Sequence, residues 1–248
     1  MTIVAIVRNA SIALFALGIA GGGTVMAAVA GDHGSAPRTD RPELSLGRSE
    51  QFDFDPPEPG SYSLPIIKDA GDGDVLTADG RSRRLRDVLA GRISLVSFIY
   101  TSCADPAACP LASGVLYRIK AVSKQDPLLA ENLRLVTFSF DPERDTPTVM
   151  ASYGKGLAPD VDGAEWIFLT TAGPAALQPI LADYGQRVDR KRDPDDPLGP
   201  LAHLVRVFLV DRGGRLRNIY SFDQLDPRLV LTDVRTLLLE EAAVAAGK

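Results

Sequence analysis

The chain has 248 residues, of which 45% are hydrophobic and 24% are charged, which is typical of one globular domain with a short additional segment. Its formal net charge is -5, and its lysines and arginines are scattered along the chain. This pattern argues against a nucleic-acid partner, because binding to a phosphate backbone requires a clustered basic surface.

Residues 1–30 have the pattern of an export signal. One positive charge, Arg8, precedes the uncharged run 9–30, which ends in the small residues AVA, as a signal cleavage site does. The run also approaches the length of about 20 residues that spans a bilayer, so an uncleaved membrane anchor is the alternative. The glycines at 21–23 weaken a spanning helix and favour cleavage. Both readings predict an exported protein, either periplasmic or held at the inner membrane facing the periplasm.

The next segment, residues 31–61, is rich in glycine, proline, serine and charge and has little apolar periodicity. We interpret it as a flexible tether. The folded domain is then predicted to cover residues 62–248.

Strand and helix patterns alternate from residue 75 onward, beginning with a hairpin pattern at 75–85. Further strands are predicted at 93–100, 133–140, 165–170, 204–210 and 215–220, and helices are predicted from Pro110 and at 147–157, 174–185 and 227–242. The helix at 174–185 is predicted to restart near Pro179, because proline interrupts helical hydrogen bonding. Residues 186–203 are predicted to form a polar loop.

The order of these elements predicts an α/β protein with a central mixed sheet flanked by helices. It is the order of a thioredoxin-like fold with an N-terminal strand or hairpin extension.

Both cysteines of the chain lie in the stretch YTSCADPAACP, residues 100–110. Cys103 and Cys109 fall between a predicted buried strand and the first turn of a predicted helix, a position that favours the thiolate. A structural disulfide is the simplest alternative for an exported protein. Across so short a loop it would add only about 2.4 kcal/mol, and a chain of this length can be stable without it.

A redox role for the cysteine pair is a second alternative. A thioredoxin-type pair has two residues between its cysteines, whereas this chain has five. A peroxidase of the peroxiredoxin type needs Thr or Ser three residues before its cysteine, where this chain has Tyr100. A thiol:disulfide oxidoreductase in which Cys103 attacks and Cys109 resolves remains open.

A metal site is the third possibility, and it involves His203. This histidine ends the charged loop and directly precedes a predicted strand, and in a thioredoxin-like fold such a loop folds back beside the cysteine turn. Two thiolates and one imidazole suit Cu(I), and also Cu(II) if a fourth ligand or water joins. Zinc is the competing ion, but structural zinc normally has four protein ligands. Copper is therefore the predicted metal.

Four motifs in one order carry a resemblance to a known family. They are YTSC at 100–103, CP at 109–110, DPERDTP at 141–147 and HLVRVFLVDRGGRLRNIY at 203–220. With these motifs the chain resembles the Sco/SenC family of copper chaperones, which act in cytochrome c oxidase assembly. The resemblance covers about residues 62–241. One departure is that the family has three residues between its cysteines and this chain has five, ADPAA.

The resemblance implies a metallochaperone rather than a catalyst, which binds one copper ion through Cys103, Cys109 and His203. Its partner would be cytochrome c oxidase subunit II or another copper acceptor. It would deliver copper to the copper A centre or reduce the cysteines of that centre, and a thiol reductant protein would be a further partner. The wider cysteine spacing slightly favours the second hypothesis, a thiol:disulfide oxidoreductase. The third hypothesis is a structural or interaction module with an inert disulfide.

The DPERDTP motif has a structural role that sequence alone explains. Asp145 or Thr146 is expected to cap a helix whose first residue is Pro147. Asp141, at the end of the preceding strand, is expected to contribute charge near the cysteines.

Overall fold

The computed structural model describes residues 52–247. The predicted signal or anchor at 1–30 lies outside the described residues. At the described end of the predicted tether, Phe52 is buried, and Arg228 donates hydrogen bonds to the carbonyls of Phe52 and Phe54. The division of the chain into signal or anchor, tether and domain stays a prediction. Among residues 52–247, none of the helices combines the length and the apolar character needed to cross a bilayer.

The described residues form ten strands and six α-helices. The strands are β1 (Lys68–Asp69), β2 (Asp74–Thr77), β3 (Ser82–Arg84), β4 (Ile93–Ile99), β5 (Leu133–Ser139), β6 (Glu165–Thr170), β7 (Val188–Arg190), β8 (Leu201–His203), β9 (Arg206–Val210) and β10 (Arg215–Ser221). The helices are α1 (Leu85–Leu89), α2 (Cys109–Ser123), α3 (Pro127–Asn132), α4 (Pro147–Leu157), α5 (Pro174–Tyr184) and α6 (Pro227–Ala246).

Eight of these strands form one mixed sheet in the order β1-β10-β9-β4-β5-β6-β2-β3. Strands β4, β5 and β6 are parallel; on the other side of β4, β9 pairs with it antiparallel, and β10 pairs antiparallel with β9. Every residue of β4 is buried, as its uninterrupted apolar pattern requires of a parallel strand that is covered on both faces. The predicted central mixed sheet is confirmed, and the predicted N-terminal hairpin is formed by β2 and β3.

A separate core packs on each face of the sheet. Phe98, Phe138, Tyr184 and Phe208 form an aromatic group on one face, in which Phe98 lies 5.0 Å from Tyr184 between ring centroids. The other core contains apolar residues of α2 and α6, including Leu116. Packing on both faces holds the ends of β4 and β5 in place, and the loops that follow these strands start from fixed points.

Two local predictions were wrong. Helix α5 runs through Pro179 without restarting, because the buried side chains of Leu177, Ile180 and Leu181 on either side of the proline keep the helix packed on the core. The predicted loop at 186–203 contains a two-stranded hairpin of β7 and β8. These strands have three residues each, too few for a period-two pattern to be recognised in a charged segment.

Candidate metal centre

Cys103 lies on a loop that leaves the end of β4, and Cys109 is the first residue of α2, into which this loop leads. Cys103 N–H donates to the Tyr100 carbonyl at 3.2 Å, and Ala108 N–H donates to the Asp105 carbonyl at 3.0 Å. Asp105 also accepts from the N–H of Ala107 through its side chain, at 3.0 Å. These bonds turn the five intervening residues back on themselves, so the wide spacing still returns Cys109 toward Cys103.

His203 is the last residue of β8 and is paired with Val188 of β7. Its imidazole packs against two aromatic rings, with centroids 4.8 Å from Phe140 and 5.9 Å from Tyr100. The hairpin of β7 and β8 thus brings this histidine over the end of β4, beside the cysteine loop.

The structure brings together all three residues that the sequence analysis proposed as ligands. The sulfurs of Cys103 and Cys109 and a ring nitrogen of His203 lie within 4.8 Å of one another. His203 Nε2 is 3.4 Å from Cys109 Sγ. Both cysteines are free thiols, Cys109 buried and Cys103 half-buried. Ligands bonded to one ion at about 2.0–2.3 Å lie roughly 3.5–4 Å apart, so only a small closing movement separates this group from a metal-binding geometry.

The histidine is oriented by a backbone carbonyl. His203 Nδ1 lies 3.3 Å from the carbonyl oxygen of Leu204. Because that oxygen can only accept, the contact places the ring proton on Nδ1 and leaves the Nε2 lone pair facing Cys109. Metal-binding histidines are commonly held by such a bond on the nitrogen remote from the ion.

The two thiols have opposite pKa shifts. A hydrogen bond from Cys109 is the largest cause that lowers the pKa of Cys103, to about 3, with burial acting in opposition. The same hydrogen bond, followed by burial, raises the pKa of Cys109 well above its usual range. Cys103 is therefore the thiolate of the pair. For Cys109, the expectation that a helix N-terminus favours the thiolate was wrong.

The DPERDTP turn is joined to the cysteine loop by Asp145. This carboxylate is buried and accepts from the N–H of Thr101 at 2.9 Å, from the Thr101 hydroxyl and from the Ser139 hydroxyl. Helix α4 is capped by Thr146 instead, which accepts from the N–H of Val149. Asp141 pairs with Arg144 at 3.0 Å. From the sequence, Asp145 was expected only as a helix cap, and its bonds to the cysteine loop were not predicted.

Tyr100 joins the cysteine loop to the histidine hairpin. Its buried hydroxyl lies 3.3 Å from the carbonyl of Leu198 and 3.4 Å from that of Leu201. Between them, Gly199 has a φ of +100° and passes so close that a Cβ atom there would overlap the tyrosine hydroxyl. The close approach of the β7–β8 connection to Tyr100 thus depends on the absence of a side chain at Gly199.

Substituting alanine for Gly199 is expected to lower the free energy of unfolding by about 2–4 kcal/mol, from backbone strain together with overlap with Tyr100. Gly80 is the matched control, since its φ is +81° but the space around its Cβ position is open. Urea denaturation of Gly199→Ala and Gly80→Ala separates the two contributions. Equal losses in both variants would show that the contact with Tyr100 is unimportant.

A sheet of this topology, with paired thiols after a central parallel strand and an imidazole above them, defines a thioredoxin-like protein with a thiolate and imidazole site. The sequence model of the family described as SCO1/SenC matches residues 73–239, and the chain belongs to this family.

Individual relatives agree with the family assignment. The SCO2-like protein of Rickettsia felis is 27% identical over 156 residues, which are 62% of this chain and 70% of the relative. The solved structure of Arabidopsis thaliana ScoI with copper bound has a TM-score of 0.59 at 20% identity and covers 69% of this chain and 98% of its own. BsSco, described as a member of the Sco family of cytochrome c oxidase assembly proteins and solved in work on a disulfide switch, has a TM-score of 0.57 at 20% identity, covering 71% and 98%. These two structures show the thioredoxin-like Sco fold.

Proposed function

We propose that this chain is an exported copper chaperone that binds one copper ion through Cys103, Cys109 and His203. It delivers the ion to the copper A centre of cytochrome c oxidase subunit II, or keeps the cysteines of that centre reduced. The observation that carries the proposal is the placement of three soft ligand atoms within 4.8 Å of one another.

The chemistry of the donor set supports copper as the cargo. Cys103 supplies a ready thiolate, and His203 presents a lone pair on Nε2. Thiolate ligands select Cu(I) among the first-row ions, and three ligands satisfy its low coordination number. The relative from Arabidopsis thaliana, solved with copper, and the oxidase-assembly description of BsSco support the same cargo and destination.

The different exposures of the ligands suggest an order for the transfer. Both cysteines line an open cleft of about 490 Å³, but Cys109 is buried whereas Cys103 is half-buried and so more accessible from it. An acceptor thiolate entering from the cleft reaches the copper on the Cys103 side. It displaces Cys103 first, while Cys109 and His203 keep the ion bound until a second acceptor ligand arrives.

Anaerobic titration of the reduced protein with Cu(I), against a competing chelator, tests the proposal. We expect one tight equivalent for the unsubstituted chain and loss of that equivalent in Cys109→Ser, whose hydroxyl is a poor ligand for Cu(I). The control is Ser113→Ala, which removes a hydroxyl that borders the same cleft and is bonded to Tyr153. Weak binding, or binding that survives Cys109→Ser, would overturn the proposed copper site.

A thiol:disulfide oxidoreductase is the second candidate, favoured by the opposite pKa shifts of the cysteines. The Cys103 thiolate would attack a substrate disulfide and release one substrate thiolate. The Cys109 thiol would then lose its proton and attack Cys103, releasing the second substrate thiol and leaving a Cys103–Cys109 disulfide. Two electrons pass to the substrate, and a thiol reductant protein restores the pair. This activity does not require His203.

A further inference from the structure

One carbonyl oxygen beside the candidate metal centre accepts two side-chain hydrogen bonds. The Leu204 carbonyl accepts from His203 Nδ1 at 3.3 Å and from Gln186 Nε2 at 2.8 Å. Gln186 is 3% exposed, and its Oε1 has no hydrogen-bond partner among the described residues. The amide therefore reaches the histidine through a shared acceptor and does not touch the ligand atoms.

The end of helix α5 and the start of β7 fix the position of Gln186. Helix α5 ends at Tyr184, and Gly185 follows in the left-handed conformation with φ +60°. The N–H of Gln186 then donates to the Leu181 carbonyl at 2.8 Å. Two residues later β7 begins at Val188, which pairs with His203. The side chain of Gln186 thus lies beside the residues that follow His203, at the base of the hairpin.

Stability alone is a poor explanation for this amide. A buried polar group with an unpaired oxygen is a net cost to the folded state. The segment that follows the hairpin is also anchored to the end of α5 without it, because Arg206 at the start of β9 donates through Nη1 to the Gly185 carbonyl at 2.7 Å. The remaining effect of the Gln186 amide is on the Leu204 carbonyl and hence on the imidazole bonded to it.

We infer that Gln186 is a positioning residue for His203: by holding the Leu204 carbonyl, it keeps the ring proton on Nδ1 and the Nε2 lone pair directed at Cys109 Sγ. The inference rests on the proposed function for the ligand role of His203. The tautomer itself is a property of the metal-free protein and is measured separately.

The first test is a double-mutant cycle on Cu(I) affinity. Gln186→Met keeps the length of the side chain and removes the donor, and it is expected to weaken Cu(I) binding by about 10- to 100-fold, as loss of an outer hydrogen bond to a metal ligand does. In a His203→Ala background the same substitution is expected to change nothing further, since its effect passes through the imidazole. Equal losses in both backgrounds, or no loss in either, would overturn the inference.

The second test uses ¹⁵N NMR of the imidazole in reduced, metal-free protein. The chain has two histidines, so a His33→Ala background leaves a single ring to observe. At about pH 8.5, where an ordinary imidazole is neutral, we expect the Nδ1–H tautomer with Gln186 present and a mixture of tautomers in Gln186→Met. Gln186→Glu, which offers no donor when ionised, is the second variant if the methionine protein does not fold.

The two tests separate failure of the inference from failure of the proposed function. If His203→Ala itself leaves Cu(I) affinity unchanged, the proposed ligand role fails, and the tautomer measurement alone decides the inference. An Nε2–H tautomer in the unsubstituted protein, or a tautomer unchanged in both Gln186 variants, would exclude the positioning role.

Discussion

Replacing His203 by alanine is expected to weaken Cu(I) binding by the reduced protein by at least about 100-fold, more than the loss of an outer hydrogen bond costs. The imidazole is the one nitrogen ligand in a group of three, and without it the two sulfurs must hold the ion alone. Its Nε2 lies 3.4 Å from Cys109 Sγ, so its loss also removes one polar neighbour of the buried thiol. Competition with a chelator under anaerobic conditions measures the change.

The natural control is His33→Ala, since His33 is the other histidine of the chain and lies in the predicted tether. It should bind Cu(I) as the unsubstituted protein does. Disulfide reduction should survive in both variants, because the chemistry of thiol exchange needs only Cys103 and Cys109. If His203→Ala bound copper normally, the proposed copper site would be wrong and the thiol:disulfide oxidoreductase would be the better-supported function.

The sheet and the proximity of Cys103, Cys109 and His203 could be predicted from sequence because their signals are local or depend only on element order. The runs at 93–100 and 133–140 are apolar enough to be buried strands, and the cap at Thr146 directly precedes a helix that begins at Pro147. The meeting of His203 with the cysteines followed from the order of strands in the fold. It did not require knowledge of the loop between them.

The supporting contacts could not be predicted, because each depends on how distant segments pack. The bond from Thr101 to Asp145 joins residues 44 apart in sequence, and that from Tyr100 to the carbonyl of Leu198 joins residues 98 apart. Gln186 belongs to no recognisable sequence motif. Its position beside His203 depends on the short hairpin of β7 and β8, which could not be recognised in a charged segment. The close contact between Gly199 and Tyr100 could not be predicted for the same reason, since it also joins distant segments.

Alkylation of Cys103 by iodoacetamide is expected to be almost independent of pH between about pH 5 and pH 8 in the reduced, metal-free protein, whereas an ordinary thiol with a pKa near 8.5 slows about 1,000-fold over that range. The absence of a pH dependence follows from the lowered pKa of Cys103. A pKa lowered to about 3 keeps Cys103 in the reactive thiolate form throughout this interval. The pKa of Cys109 is raised instead, so it stays protonated and unreactive. Peptide mapping by mass spectrometry after timed quenching identifies which sulfur has reacted.

Two substitutions at Cys109 test the cause of this shift, because the hydrogen bond from Cys109 is its largest contribution. Cys109→Ala removes the donor, and the reactivity of Cys103 should then fall as the pH is lowered, as for an ordinary thiol. Cys109→Ser keeps a hydroxyl that can donate and should preserve much of the reactivity at low pH. If both variants kept the pH-independent profile, the low pKa would have to arise from the loop backbone. The Cys103 thiolate would then exist independently of its partner cysteine.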